Sequence, residues 1–252
     1  MLTGKVVLIT GSTSGVGFGT ARAAQAAGAK VFIHGPNAAE VEKASVELGG
    51  VPGIAVDLVK PDAGTEIVEA VLAAYGRIDG VVNNAGIFPR STLEHTTTAF
   101  FDNMFAINAR SPLIVAQRAV QAFKAQGGGG SIVNIGSVNA YGGAPNLTAY
   151  SMSKGALMTM TRSLSNALAE DLIRVNQLNL GWILTETEKR TQKAEGRPDD
   201  WFLTLPKSVI PTGRMLGPDD CAKHVLFWLS DDSAPVTGQV YEISQTPYLG
   251  KA

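Results

Sequence analysis

At 252 residues, 45% apolar and 17% charged, the chain has the length and composition of a globular α/β protein that buries a sizeable core. A net charge of −1 offers no basic field to nucleic acid or an anionic membrane, and no apolar run approaches the ~20 residues needed to span a bilayer. The single cysteine, Cys221, cannot form an internal disulfide, and Met1 to Lys5 shows no signal-peptide pattern, so a reducing, cytoplasmic setting is expected.

Lys5-Val6-Val7-Leu8-Ile9-Thr10 is a continuous apolar run of the kind buried on both faces of a parallel sheet. It stops at a glycine cluster, Gly11-Ser12-Thr13-Ser14-Gly15-Val16-Gly17, which opens into an alanine-rich helical segment ending at Gly28. Strand, glycine turn and helix together make a phosphate-binding arrangement. Glycine lets the backbone approach a pyrophosphate, and the free N–H groups and positive end of the helix face the anion.

Lys30 to His34 reads as a second strand, with a helix from Ala38 to Leu48, and Gly53 to Asp57 as a third strand ending in a carboxylate. A helix from about Asp62 to Tyr75 is closed by Gly76. A fourth strand from Gly80 runs into the polar turn Asn83-Asn84-Ala85-Gly86. Ser131–Ile135, Arg174–Asn179 and Gln239–Ile243 complete the strands. Strands alternating with helices predict one doubly wound, seven-stranded parallel sheet of Rossmann type covered by helices on both faces, in a single domain over 1–252. Ligands of such sheets bind beyond the carboxyl ends of the strands, where the chain order reverses. The glycine cluster, Asp57, Asn84 to Gly86, Ser137 and the segment from Asn179 to Thr185 all fall there.

Tyr150 and Lys154 stand four residues apart, which on a helix puts their β-carbons about 5–6 Å apart on one face. A phenol ordinarily keeps its proton to about pH 10, and a fixed positive neighbour favours the phenolate. Tyr150 is therefore the candidate acid and base, Lys154 the group that tunes it, and Ser137 a hydroxyl able to hold a substrate oxygen in line. His34, His95 and His224 have no carboxylate or cysteine at ligand spacing, so no metal site is expected. Cys221 reads as a packing residue, and Asp79, Asp231 and Asp232 as solvated turn or cap positions.

Across essentially its whole length the sequence resembles the short-chain dehydrogenase/reductase family. Thr10 to Gly17 matches T-G-x-x-x-G-x-G, Asn83 to Gly86 matches N-N-A-G, and Tyr150 with Lys154 matches Y-x-x-x-K. The resemblance implies hydride exchange between NAD or NADP and an alcohol or carbonyl. It implies Asn108 on the fourth helix, Ser137, Tyr150 and Lys154 as the catalytic set, with Asn108 holding a water on a proton path from Lys154. An asparagine that closes or bends that helix is the alternative for Asn108. For the cofactor it implies Gly11, Ser12, Thr13, Ser14, Gly15, Val16, Gly17, His34, Asp57 against adenine, Leu58, Asn84, Ala85, Gly86, Tyr150, Lys154, Gly181, Ile183, and Thr185 for the carboxamide. By family analogy Ser137, Asn139, Tyr141, Asn146, Tyr150 and Trp182 shape the substrate pocket.

The chain departs from the family pattern in two places. Asn179-Leu180-Gly181 stands where the family has N-P-G, which removes a proline that stiffens the turn. The ribose-reading positions hold Gly35 and Pro36, neither the acid of NAD-dependent members nor the arginine of NADP-dependent ones, and leave the choice open, with His34, Asn37 and Ser12 able to serve either ribose. The charged stretch from Glu186 to about Pro211, with Trp201 and Phe202 inside it, is expected to be a substrate lid. Hydrogen-bonding side chains beside aromatic faces point to a sugar or polyol. A 3-ketoacyl thioester and a non-catalytic dinucleotide-binding sensor or scaffold are the alternatives. An apolar stripe of Ala156, Leu157, Met160, Leu164 and Leu168, with a partner stripe around Phe101 to Ile107, predicts a homodimer or homotetramer.

Overall fold

The computed structural model describes residues 1–245; residues 246–252, the end of the expected domain, lie outside the described residues. Seven parallel strands form one sheet: β1 (Val6–Ile9), β2 (Lys30–Gly35), β3 (Gly53–Ala55), β4 (Gly80–Asn83), β5 (Gly130–Ser137), β6 (Ile173–Leu180) and β7 (Val240–Ile243). Their order, β3-β2-β1-β4-β5-β6-β7, reverses between β1 and β4, as the doubly wound expectation requires. The helices are α1 (Gly15–Ala26), α2 (Ala38–Glu47), α3 (Ala63–Tyr75), α4 (Thr98–Phe105), α5 (Ser111–Ala125), α6 (Thr148–Ala167), α7 (Glu186–Ala194) and α8 (Pro218–Leu229).

Strand parity decides which helices cover which face, because successive side chains point to opposite sides. Val7, Ile9, Val31, Ile33, Val82 and Val133 meet Ala21 and Ala24 of α1 and Val225 and Leu229 of α8. Val6, Leu8, Phe32, Val81 and Ile132 meet Ile67 and Val71 of α3 and Val115 and Phe123 of α5. Each fully buried aliphatic or aromatic side chain of this kind contributes roughly 1.5–3 kcal/mol.

The structure adjusts several boundaries. β3 ends at Ala55, so Asp57 lies past the strand, exposed, with its carboxylate accepting from the Val59 N–H (3.0 Å) in a local turn. β4 stops at Asn83, and β5 runs on to include Ser137. The fourth helix is interrupted by a π-helical turn over Ala106–Arg110. Pro112, at the start of α5, explains it: proline has no N–H for the Asn108 carbonyl, and its ring crowds that carbonyl, so the turn widens. Asp79 is not a solvated cap. Its carboxylate accepts from the Val6 N–H (2.8 Å) and from both Nε and Nη2 of Arg77, pinning the start of β1 to the lead-in to β4.

Beneath α6 lies a buried polar ladder that hydrophobic patterning does not show. Asn83 Nδ2 donates to Asn134 Oδ1 (2.9 Å), Asn134 Nδ2 to Thr161 Oγ1 (2.8 Å) and Gln177 Nε2 to Asn179 Oδ1 (2.7 Å), while the Thr161 hydroxyl reaches Gln177 Oε1 (3.0 Å). Thr161 ties α6 to the sheet through this ladder. Thr161→Val keeps the shape and leaves buried amide groups of Asn134 and Gln177 unpaired. Urea denaturation should therefore show a loss of about 1–3 kcal/mol with an unchanged m-value, largely restored in Thr161→Ser.

The expected lid is a folded unit, not an open loop. After α7, Trp201, Ile210 and Met215 pack into a small core of their own against Trp182, Leu184, Phe202, Leu205 and Val209. Ile183 bridges to Leu216, and the Leu184 N–H donates to the Leu216 carbonyl (2.8 Å). No helix of the described residues is long and apolar enough to cross a membrane.

Candidate active site

At the reversal between β1 and β4 the chain comes too close to itself for side chains. A β-carbon on Gly11, whose φ is +61°, would sit 2.7 Å from Ala85 Cα, and one on Gly17 would sit 2.2 Å from the Gly11 carbonyl oxygen. Asn84 closes the turn by donating from Nδ2 to the carbonyls of Thr10 and Gly11, both at 2.9 Å. Ser14 places no side-chain cap on α1, so its first-turn N–H groups remain available to an anion, which fits a dinucleotide pyrophosphate.

Beside this end of α1 opens a cavity of about 570 Å³. Val16, Asn84, Gly86, Ser137, Asn139, Tyr150, Lys154, Gly181, Trp182, Ile183 and Thr185 line it, so four stretches far apart in the chain meet there. Ser137 ends β5 in an extended conformation, its hydroxyl accepting from the Asn139 N–H (3.2 Å). Tyr150 enters from the first turn of α6, with Phe88 edge-on to its ring at 6.3 Å between centroids. Lys154, 5% exposed, donates from Nζ to the Ile135 carbonyl (2.8 Å) and lies 5.9 Å from the Tyr150 ring centroid.

The electrostatics differ from the sequence expectation. Burial pushes the Tyr150 phenol above its ordinary range, opposed by the hydrogen bond with Ser137 and reinforced by the negative charge of Glu188. Burial also brings Lys154 down to about 8, so its charge is partial just above neutrality and does not override the desolvation of the phenol. Cys221 is buried, which lifts its thiol to about 12 and removes it as a nucleophile.

Other expected site residues are placed elsewhere. His34 is buried under the glycine turn: Nδ1 accepts from the Gly11 N–H (3.2 Å), which leaves Nε2–H to donate to the Val56 carbonyl (2.9 Å), and burial lowers its pKa. It supports the turn from behind and has no nitrogen left for a ribose. Ser12 is equally committed, donating to the Ile9 carbonyl (2.7 Å) and accepting from the His34 N–H (3.0 Å). Leu58 is buried, and neither it nor Asp57 lines the cavity. Asn108 sits in the π turn, fully buried, with Oδ1 accepting from the Ile87 N–H (2.9 Å) and Nδ2 directed at the Ile87 carbonyl (2.8 Å) and Ser153 Oγ (3.0 Å). Protein groups already occupy the amide, while its oxygen and Lys154 Nζ flank Gly86.

Gly35 explains the missing ribose acid. A β-carbon there would meet Thr13 Cγ2 at 2.5 Å, so the glycine loop fills the space an acidic side chain would need. Asn37 spends its Oδ1 on the Ala39 and Glu40 N–H groups at the start of α2. The missing proline also has a structural counterpart. Leu180 is paired in register with Ser137 on one side and Ile243 on the other, and the Gly181 N–H donates to the Ile243 carbonyl (2.9 Å), so the sheet stiffens the turn.

Of the residues expected to shape a substrate pocket, Asn139, Asn146 and Trp182 line the cavity and Tyr141 does not; neither does Trp201. Trp201 is buried behind Trp182, the rings stacked at 4.9 Å. Sequence reasoning missed Phe88, Arg90, Glu188, Gln192, Glu195 and Arg197, which complete the wall. The only local signal was helical spacing: Glu188, Gln192 and Glu195 repeat every three or four residues, one face of α7 and its end. Arg90 pairs with Glu195 across the mouth, and Arg197 lies over the rings of Trp182 and Trp201 at 5.6 and 5.4 Å.

A family model described as enoyl-(acyl carrier protein) reductase matches residues 11–245. A 3-oxoacyl-acyl-carrier-protein reductase of Thermotoga maritima is 36% identical over 247 residues, which cover 96% of this chain and 97% of the relative. An L-rhamnose 1-dehydrogenase (NAD(P)(+)) of a Sphingomonas species is 32% identical over 254 residues, covering 99% and 98%. The crystal structure of levodione reductase superposes with a TM-score of 0.88 at 29% identity, covering 97% of each chain. With the match running over nearly the whole sequence and the fold superposing along it, the chain belongs to the short-chain dehydrogenase/reductase family of oxidoreductases.

Proposed function

We propose that the protein interconverts a secondary alcohol and a carbonyl using NAD or NADP, with Tyr150 as acid and base and a small polyhydroxylated molecule as substrate. The observation that supports this best is the convergence of Ser137, Tyr150 and Lys154 with the uncapped end of α1 on one cavity. When bound, the nicotinamide dinucleotide supplies or accepts the hydride. The loop from Gly11 to Gly17, Asn84 to Gly86, Gly181, Ile183 and Thr185 would hold it, and Lys154 would reach its ribose. Tyr150 gives its proton to the substrate oxygen in reduction and takes it back in oxidation, while Ser137 keeps that oxygen in line. The raised phenol pKa keeps Tyr150 protonated near neutrality, which suits reduction there and predicts oxidation that quickens as pH rises. Asn108 is proposed as a positioning residue that holds Ser153 and the Ile87 backbone beside Lys154.

With a glycine at 35 and Pro36 beyond it, no charge attracts or repels a 2′-phosphate, and use of either dinucleotide follows. The sugar reading rests on Asn139, Asn146 and Trp182 in the cavity wall and on a relative named as a rhamnose dehydrogenase. The 3-ketoacyl thioester reading keeps one structural argument, Arg90 and Arg197 at the mouth, where a carrier phosphate could lie. A screen of pentoses, hexoses, polyols, ketoacyl esters and steroids with both dinucleotides separates the two. Sugars or polyols should turn over fastest; turnover of ketoacyl esters or apolar ketones alone would overturn the substrate assignment. No turnover of anything would favour the sensor or scaffold.

We also propose that residues 186–211 act as the lid over this cavity and that the protein is a homodimer or homotetramer. Leu157 and Leu168 of the expected stripe are buried and Leu164 packs against the core that holds Leu168, whereas Ala156 and Met160 stay half-buried. Light scattering at micromolar concentration should give a mass at least twice that of one chain.

A further inference from the structure

We infer that Glu188 on α7, held in place by Gln192, is an acceptor that selects substrates with a hydroxyl group beside the reacting carbon, to be donated to Glu188 Oε2. The inference rests on the oxidoreductase reading above and specifies the substrate face of that site. Both side chains line the same cavity as Ser137 and Tyr150. They are deeply buried, 9% and 3% exposed.

Glu188 Oε1 already accepts two hydrogen bonds, from Trp182 Nε1 (2.7 Å) and Gln192 Nε2 (2.9 Å). Among the described residues no cation pairs with the carboxylate and none donates to Oε2. Gln192 Oε1 is buried without a partner. The amide cannot be turned to relieve this, because exchanging its oxygen and nitrogen would set an oxygen against the Glu188 carboxylate. Gln192 Oε1 is closed off from the cavity, so the acceptor left open there is Glu188 Oε2, with Gln192 one helical turn on holding the carboxylate through Nε2. A carboxylate oxygen only accepts, so whatever satisfies it must donate. An anionic group placed there would meet a buried negative charge, and an apolar one would leave Oε2 stranded. A vicinal hydroxyl supplies the donor without adding charge, and the Trp182 indole that holds Glu188 gives the site its apolar part. Glu188 and Tyr150 line the same cavity, and the carboxylate's charge acts on the phenol across it.

The test compares cyclohexanol, cis-1,2-cyclohexanediol and trans-2-aminocyclohexanol as substrates for the full-length enzyme with NAD and NADP. Wild type should prefer the diol to cyclohexanol by about tenfold or more in kcat/KM, the order expected for one hydrogen bond to a charged acceptor that cyclohexanol cannot make. Glu188→Gln replaces one acceptor with a donor and should cut that preference at least about tenfold, mainly through KM. Gln192→Met keeps the volume, removes the Nε2 donor that holds Glu188 and should move the preference in the same direction, which guards against a folding defect in the first variant. An unchanged diol preference in both folded variants overturns the inference and leaves the oxidoreductase reading intact. A preference for the amino alcohol over the diol would show a cation site and overturn it too. Failure of wild type to oxidise the diol overturns the inference, whereas the oxidoreductase reading falls only if the broad screen of sugars, polyols, ketoacyl esters and steroids also shows no turnover.

Discussion

Tyr150→Phe is expected to abolish turnover while leaving dinucleotide affinity within a few-fold of wild type. The substitution removes one oxygen and keeps the ring, so the edge contact with Phe88 and the packing of the first turn of α6 survive. What disappears is the group that exchanges a proton with the substrate oxygen, a loss of about 10²–10⁴ in rate for general acid–base catalysis. Ser137 cannot take over, since its hydroxyl is placed to align the oxygen and an aliphatic alcohol holds its proton far more tightly than a phenol. Stopped-flow or steady-state turnover, with cofactor affinity from fluorescence titration, checks both halves. Wild-type oxidation should climb from neutral towards alkaline pH, because burial and the Glu188 charge hold the phenol protonated, and any residual rate of the variant should lack that rise. Turnover equal to wild type would remove Tyr150 from the mechanism.

Lys154→Met should make the protein more stable at pH 7 and far less active. The ammonium is buried at 5% exposure with the Ile135 carbonyl as its hydrogen-bond acceptor, and desolvation brings its pKa from 10.5 to about 8. Below pH 8 both folded and unfolded chains are protonated, and the folded chain bears the whole cost of burying the charge. Between 8 and 10.5 the unfolded chain binds more protons, so stability rises with pH until the cost is gone. A displacement of this size corresponds to about 3 kcal/mol. The lost hydrogen bond to Ile135 returns about 1 kcal/mol of that. Denaturant midpoints should place the methionine variant above wild type by about 2 kcal/mol at pH 7. The gap should close and then reverse as pH approaches 10.5. A variant less stable than wild type at pH 7 would show that the lysine is held by interactions stronger than its desolvation. The stability stored against Lys154 is the expected signature of a functional group kept in an unfavourable place.

Much of this protein is legible without coordinates, for a physical reason. Strand parity, the apolar runs, the glycine turn after β1 and the left-handed closure of α3 at Gly76 all depend on residues close together in the chain. The i,i+4 relation of Tyr150 and Lys154 is of the same kind. The π turn was also within reach, since Pro112 lies four residues beyond Asn108, the distance at which proline disturbs a helical carbonyl. Tertiary structure alone decided whatever depends on two distant segments competing for one space or one hydrogen. Thr13 occupies the place of a side chain at 35, and Gly11 and Val56 take both nitrogens of His34. The polar ladder through Asn83, Asn134, Thr161 and Gln177 runs between elements that no local pattern joins. Trp201, inside the expected lid, backs Trp182, while Glu188 and Gln192, polar residues on a charged helix, turn inward because α7 folds over the cavity. Burial sets the proton affinities of Tyr150 and Lys154, and burial is a property of the assembled sheet and helices, not of the Y-x-x-x-K spacing.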